Sequence, residues 1–78
     1  MKIEILGKGC SKCNYLEGLV KEAVQKTGAK AEIIHVYDIS KIIERNVFST
    51  PALAIDGKVL TQGRIPTLEE IISLIKNK

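Results

Sequence analysis

The sequence predicts an α/β chain of order βαβαββα, a four-stranded mixed sheet flanked by helices. Three observations carry that prediction. Short apolar runs, Ile3 to Leu6 and Ile33 to Val36, are separated by a stretch whose apolar residues recur at helical spacing (Leu16, Leu19, Val20, Ala23, Val24). Asp56-Gly57 lies between two further short runs, which is a strong hairpin signal. A second helical stripe, Leu68, Ile71, Ile72 and Ile75, closes the chain.

Each element follows from local chemistry. Residues 2–6 form a strand with Ile3 and Ile5 on one face and Leu6 on the other, which suits a strand covered on both sides. Cys13 to Thr27 is the first helix, stopped by Gly28. Gly18 weakens it by about 1 kcal/mol relative to Ala, and leaves room for close packing there. Ala31 to Tyr37 is a second strand, parallel to the first because a helix connects them. Asp38 caps a short helix carrying Ile39, Ile42 and Ile43, and Asn46 ends it in a left-handed conformation. The hairpin strands are Ala52 to Ile55 and Lys58 to Thr61. Thr67-Leu68-Glu69-Glu70 is a capping box opening the last helix. If the third strand pairs antiparallel with the first, Thr50-Pro51 comes to lie against the loop that follows the first strand.

The totals bound the function. Seventy-eight residues make one domain, and at 45% hydrophobic with only 4% aromatic its core is built from Ile, Leu, Val and Ala. A net charge of +3 without a basic run interleaved with aromatics argues against nucleic-acid binding. The N-terminus alternates like a strand rather than a secretory segment, and no apolar run approaches a membrane span. A cytosolic location and a monomer are expected. In that reducing compartment a close cysteine pair is catalytic or metal-binding rather than structural.

Both cysteines fall in Gly7-Lys8-Gly9-Cys10-Ser11-Lys12-Cys13, between the first strand and the first helix. Unpaired N–H groups and the dipole at a helix N-terminus favour negative charge, so a cysteine there loses its proton more readily. The two-residue spacing lets a small disulfide ring close across the first turn. A ring that short removes little unfolded-chain entropy, so the pair reads as a redox site rather than a staple.

Together these residues resemble the thioredoxin superfamily, and more narrowly the small glutaredoxin-like thioredoxins of archaea and bacteria. The resemblance rests on a strand, Cys10-Ser11-Lys12-Cys13 opening a helix, then Thr50-Pro51 before a hairpin and a terminal helix, and it spans nearly the whole chain. It implies a thioredoxin fold and a thiol–disulfide oxidoreductase, with Cys10 the nucleophile and Cys13 the resolving thiol. It also implies a cis Pro51, whereas the residues alone favour an ordinary trans proline opening a strand. By the same resemblance, the Thr50 backbone offers an edge to an extended substrate segment, and Pro51 keeps metal from the thiols. Thr50, Pro51, Ser11 and Lys12 are thus the expected substrate-binding residues. Disulfide-bearing proteins and an unidentified reductase are the expected partners, with no cofactor and no metal.

The chain departs from the family pattern at several points. Gly9 stands where thioredoxins usually carry Trp, so their aromatic platform is missing. Ser11-Lys12 replaces the Gly-Pro or Pro-Tyr of better-known members. Gln62-Gly63-Arg64 follows the hairpin where glutaredoxins have the glutathione-binding Gly-Gly-x-x-Asp. Glu4, the first strand's acidic residue, is expected to face solvent. Lys8 and Lys12 are either solvated lysines or thiolate-stabilising charges. His35 is expected as a surface or satisfied histidine, Tyr15 as packing or rim, and Arg64 as a solvated loop residue.

The competing reading is a Cu(I) or heavy-metal chaperone using the same two thiolates, since Gly-x-Gly-Cys-x-x-Cys between strand and helix also resembles copper-binding domains. Three features oppose it: Lys8 where that family has Met, a final helix where its βαββαβ fold ends in a strand, and the presence of Thr50-Pro51. A structural zinc site needs about four ligands, more than two cysteines and a distant His35 supply. A binding module within a larger redox assembly is a third reading.

Overall fold

The computed structural model describes residues 1–9 and 11–77; Cys10 and Lys78 lie outside the described residues. The elements are β1 (Lys2–Leu6), α1 (Ser11–Thr27), β2 (Glu32–Val36), α2 (Ile39–Glu44), β3 (Ala52–Ile55), β4 (Lys58–Gln62) and α3 (Leu68–Lys76). The predicted βαβαββα order is the observed one. Helix α1 starts at Ser11 rather than Cys13; its first two residues, Ser11 and Lys12, are polar and exposed, which leaves no apolar period to read there. Strand β2 is one residue shorter at each end than expected.

The four strands form one mixed sheet in the order β2-β1-β3-β4. Strand β1 runs parallel to β2 and antiparallel to β3, and β3 and β4 are antiparallel. The β1–β3 pairing expected from the hairpin is therefore present. Its register sets Leu6 opposite Ala52, so the chain leaving β1 at Gly7 meets the chain entering β3 at Pro51.

Alternation along β1 divides the core. Ile3 and Ile5 pack with Leu53 and Ile55 under α1 (Leu16, Val20, Ala23) and α3 (Ile71, Ile75). Leu6 packs on the opposite face with Ala52, Ala54, Ile42 of α2 and Val47. Both faces are thus covered, as the β1 pattern requires.

The predicted stops and turns have the backbone they need. Gly28 (φ 68) and Asn46 (φ 62) end α1 and α2 in the left-handed region. Asp56 (φ 50) and Gly57 (φ 86) form the hairpin turn with two successive positive φ values, as a type I′ turn requires. Thr67 and Glu70 complete the capping box of α3.

Two expectations are corrected. Glu4 does not face solvent: it is 6% exposed, and both its oxygens accept from Arg45, at 3.0 Å from Nη1 and 2.9 Å from Nη2. Position 4 shares the α2 face of the sheet with Leu6, and that face is covered. Arg64 is an exposed loop residue as expected, and its guanidinium also donates two hydrogen bonds to Glu70 at the start of α3. Gly18 does not serve close packing, because a Cβ there would meet nothing within 4 Å.

Candidate functional site around Cys13, Gly7 and Thr50

The site forms where β1, α1 and the loop before β3 converge. The Gly7 N–H donates to the Val36 carbonyl at 3.0 Å, so β1's last turn outward is still tied to the sheet. Helix α1 begins four residues later and carries Cys13 on its inward face, with no solvent exposure. Gly7 is what makes room for it. A Cβ on residue 7 would run into Cys13 Sγ and lie 3.7 Å from Thr50 Cβ. One point in space therefore collects Gly7, Cys13 and Thr50, although 43 positions separate the first from the last.

The loop bearing Thr50 is held from its other side. The Thr50-Pro51 peptide is cis. The Pro51 carbonyl accepts from the Gly63 N–H at 3.1 Å, and Ser49 packs against Gly63, where a Cβ would lie 2.9 Å from the Ser49 Cβ. Thr50 is exposed and Pro51 is buried, so the loop offers its threonine outward from a fixed base.

Of the sequence-predicted site residues, Cys13, Thr50 and Pro51 are brought together. Ser11 and Lys12 are exposed on the first turn of α1. Cys10, the expected nucleophile, is outside the described residues; in the chain it immediately precedes α1. Tyr15 is 61% exposed, a rim position rather than a packed one. Lys8 is exposed and lines an apolar groove with Ile39, Ile43, Phe48 and Thr50.

His35 is a partnered residue on β2. Its Nδ1 lies 2.6 Å from Glu17 Oε1, and its ring stacks on Tyr37 with centroids 4.1 Å apart. Hydrogen bonds from His35 and then Lys21 hold the Glu17 carboxyl below the usual carboxylate range. Hydrogen bonding by Arg45 does the same for Glu4, against burial that pushes it upward.

Sequence reasoning missed two features here. Tyr37 sits over Gly9: a Cβ at Gly9 (φ 82) would lie 2.9 Å from Tyr37 Cε1. The available signal was that β2, parallel to β1, ends at the same edge of the sheet as the cysteine loop. The second is the exposed apolar surface of Phe48 (79%) and Ile43 (53%). A periodic apolar stripe on a six-residue helix reads as core, and only Ile42 of that stripe is buried.

Among the described residues no helix is long and apolar enough to cross a membrane. Comparison with known proteins gives concordant results. The thioredoxin domain family profile matches residues 1–76. A thioredoxin of Methanocaldococcus jannaschii is 44% identical over 75 residues, covering 96% of this chain and 86% of the relative. A thioredoxin of Methanothermobacter thermautotrophicus is 37% identical over 75 residues, covering 96% of this chain and 97% of the relative. With a four-stranded mixed sheet flanked by helices, and a profile match over residues 1–76, the chain belongs to the thioredoxin family.

Proposed function

We propose that this single domain is a protein thiol–disulfide oxidoreductase working through Cys10 and Cys13. Membership of the thioredoxin family supports redox chemistry of this class, with disulfide-bearing proteins as substrates and a reductase as electron donor. The observation that carries the residue roles is the full burial of Cys13 at the start of α1, beside Gly7 and Thr50. A thiol sealed from solvent is poorly placed to meet a substrate first, which leaves that step to Cys10. Its position just ahead of α1 favours the thiolate.

In the reaction the Cys10 thiolate attacks one sulfur of the substrate disulfide. A Cys10–substrate S–S bond forms, the substrate S–S bond breaks, and the departing thiolate takes up a proton. Cys13 gives up its proton and attacks the Cys10 sulfur, closing the Cys10–Cys13 disulfide and releasing the second substrate thiol. Two electrons have then passed from the protein dithiol to the substrate, and the reductase returns them by the reverse exchange. Thr50 and Pro51 border the substrate segment on one side, and Ser11 and Lys12 complete the rim at α1.

Trapping tests the assignment. Cys13→Ser should accumulate a mixed disulfide between Cys10 and a disulfide-bonded peptide, visible by mass spectrometry, and Cys10→Ser should accumulate none. A mixed disulfide trapped on Cys13 in Cys10→Ser, with none in Cys13→Ser, would reverse the roles.

A further inference from the structure

We propose that Tyr37 is a specificity-determining residue of this site, an aromatic wall that receives an apolar side chain adjacent to the substrate's half-cystine. The inference rests on the thiol–disulfide reading above and adds to it the chemistry of the segment that is preferred.

Two contacts fix the ring, and a third holds its stacking partner. Tyr37 follows β2 directly, and one face of its ring stacks on His35 at 4.1 Å with an interplanar angle of 6°. The Cδ1–Cε1 edge lies against Gly9, where a Cβ would be 3.3 and 2.9 Å from those atoms. His35 is in turn held from α1 by Glu17, at 2.6 Å, with its side chain only 7% exposed. Tyr37 is nevertheless 57% exposed. With one face against His35 and one edge against Gly9, the opposite face and the hydroxyl edge are the parts of the ring left for a partner.

This combination points to recognition. A large ring left open to water while stacked on a partner that is itself held from α1 has already surrendered its rotamer freedom. Docking a second apolar group on its free face therefore costs less ordering than docking on a mobile side chain. Gly9 is bonded to Cys10, so the ring edge that lies on Gly9 is one residue along the chain from the cysteine assigned above as nucleophile. Any side chain at residue 9 would push the ring away, and Gly9 thus gives the loop its positive φ and gives the ring its seat.

The test compares two disulfide-bonded peptides that differ only at the residue beside the half-cystine, Phe in one and Ser in the other. The wild-type protein should give a kcat/KM ratio favouring the Phe peptide. Tyr37→Ala should lower that ratio by about three- to tenfold, the range of a single aromatic contact, and Tyr37→Phe should retain it. A merely structural role for Tyr37 would slow both peptides alike and leave the ratio unmoved, which would overturn the proposal. So would a wild-type protein with no preference, whatever the variants do. Absence of turnover of both peptides and of bis(2-hydroxyethyl) disulfide by the wild type would instead remove the oxidoreductase reading, and this inference with it.

Discussion

Replacing Arg45 by alanine removes the partner of a carboxylate that lies in the middle of β1. Glu4 is 6% exposed, and both of its oxygens accept from the Arg45 guanidinium, at 3.0 and 2.9 Å. Breaking a buried pair from one side costs about 3–5 kcal/mol, because a desolvated charge is left behind. The Arg45 side chain is 28% exposed, so water reaches part of the vacated space, and the expected loss is about 2–3 kcal/mol. For a domain of this size that lowers the thermal midpoint by about 10–20 °C. The loss depends on pH with a definite sign. Arg45 depresses the folded-state pKa of Glu4, so the pair's contribution is present above the ordinary carboxylate range and disappears as pH falls through the depressed value. In Arg45→Ala the unpaired, buried carboxyl protonates more readily. The deficit against wild type should therefore be full near about pH 7 and shrink below about pH 4. Urea unfolding followed by far-UV circular dichroism at both pH values measures it. Adding Glu4→Gln to Arg45→Ala should recover part of the neutral-pH loss, as a coupled pair requires. A loss under about 0.5 kcal/mol at neutral pH, or an equal loss at both pH values, would refute the buried-pair account.

Two further substitutions probe glycines with opposite surroundings. Gly18→Ala should stabilise α1 by about 1 kcal/mol, because the added methyl meets nothing within 4 Å and the helix gains propensity; a thermal melt reads this as a rise of about 4–8 °C. Gly7→Ala should cost about 1–3 kcal/mol, since its methyl would collide with the buried Cys13 Sγ. On the roles proposed above, stopped-flow exchange should also show slower release of the mixed disulfide, because the methyl would displace the Cys13 sulfur.

The parts of the fold that could be read in advance are those where one residue type meets one backbone demand. Gly28, Asn46 and Asp56-Gly57 each needed positive φ, and Thr67 with Glu70 closes a hydrogen-bonded box within a single turn. The β1–β3 pairing followed from topology, and it predicted that Thr50-Pro51 would stand beside the cysteine loop. What escaped were contacts between residues distant in sequence and not tied by strand pairing. Arg45 finds Glu4 across 41 positions, and nothing local distinguishes that arginine from a solvated one. Tyr37 reaches Gly9 from just beyond a neighbouring strand, and a residue past a strand's last position has no period that fixes its face. The exposed apolar surface of helix α2 escaped for a different reason. Its three isoleucines have helical spacing, but a helix of six residues buries one turn, and Ile39 and Ile43 remain open beside Phe48.

The central claim is that Cys10 and Cys13 form one reversible dithiol–disulfide couple. Its most direct test is a redox titration in thiol buffers of graded potential, quenched by alkylation and read by mass spectrometry. The account predicts a reversible two-electron transition between the free dithiol and an intramolecular disulfide, at roughly −180 to −300 mV. Failure to form that disulfide, or a transition far outside this range, would contradict it.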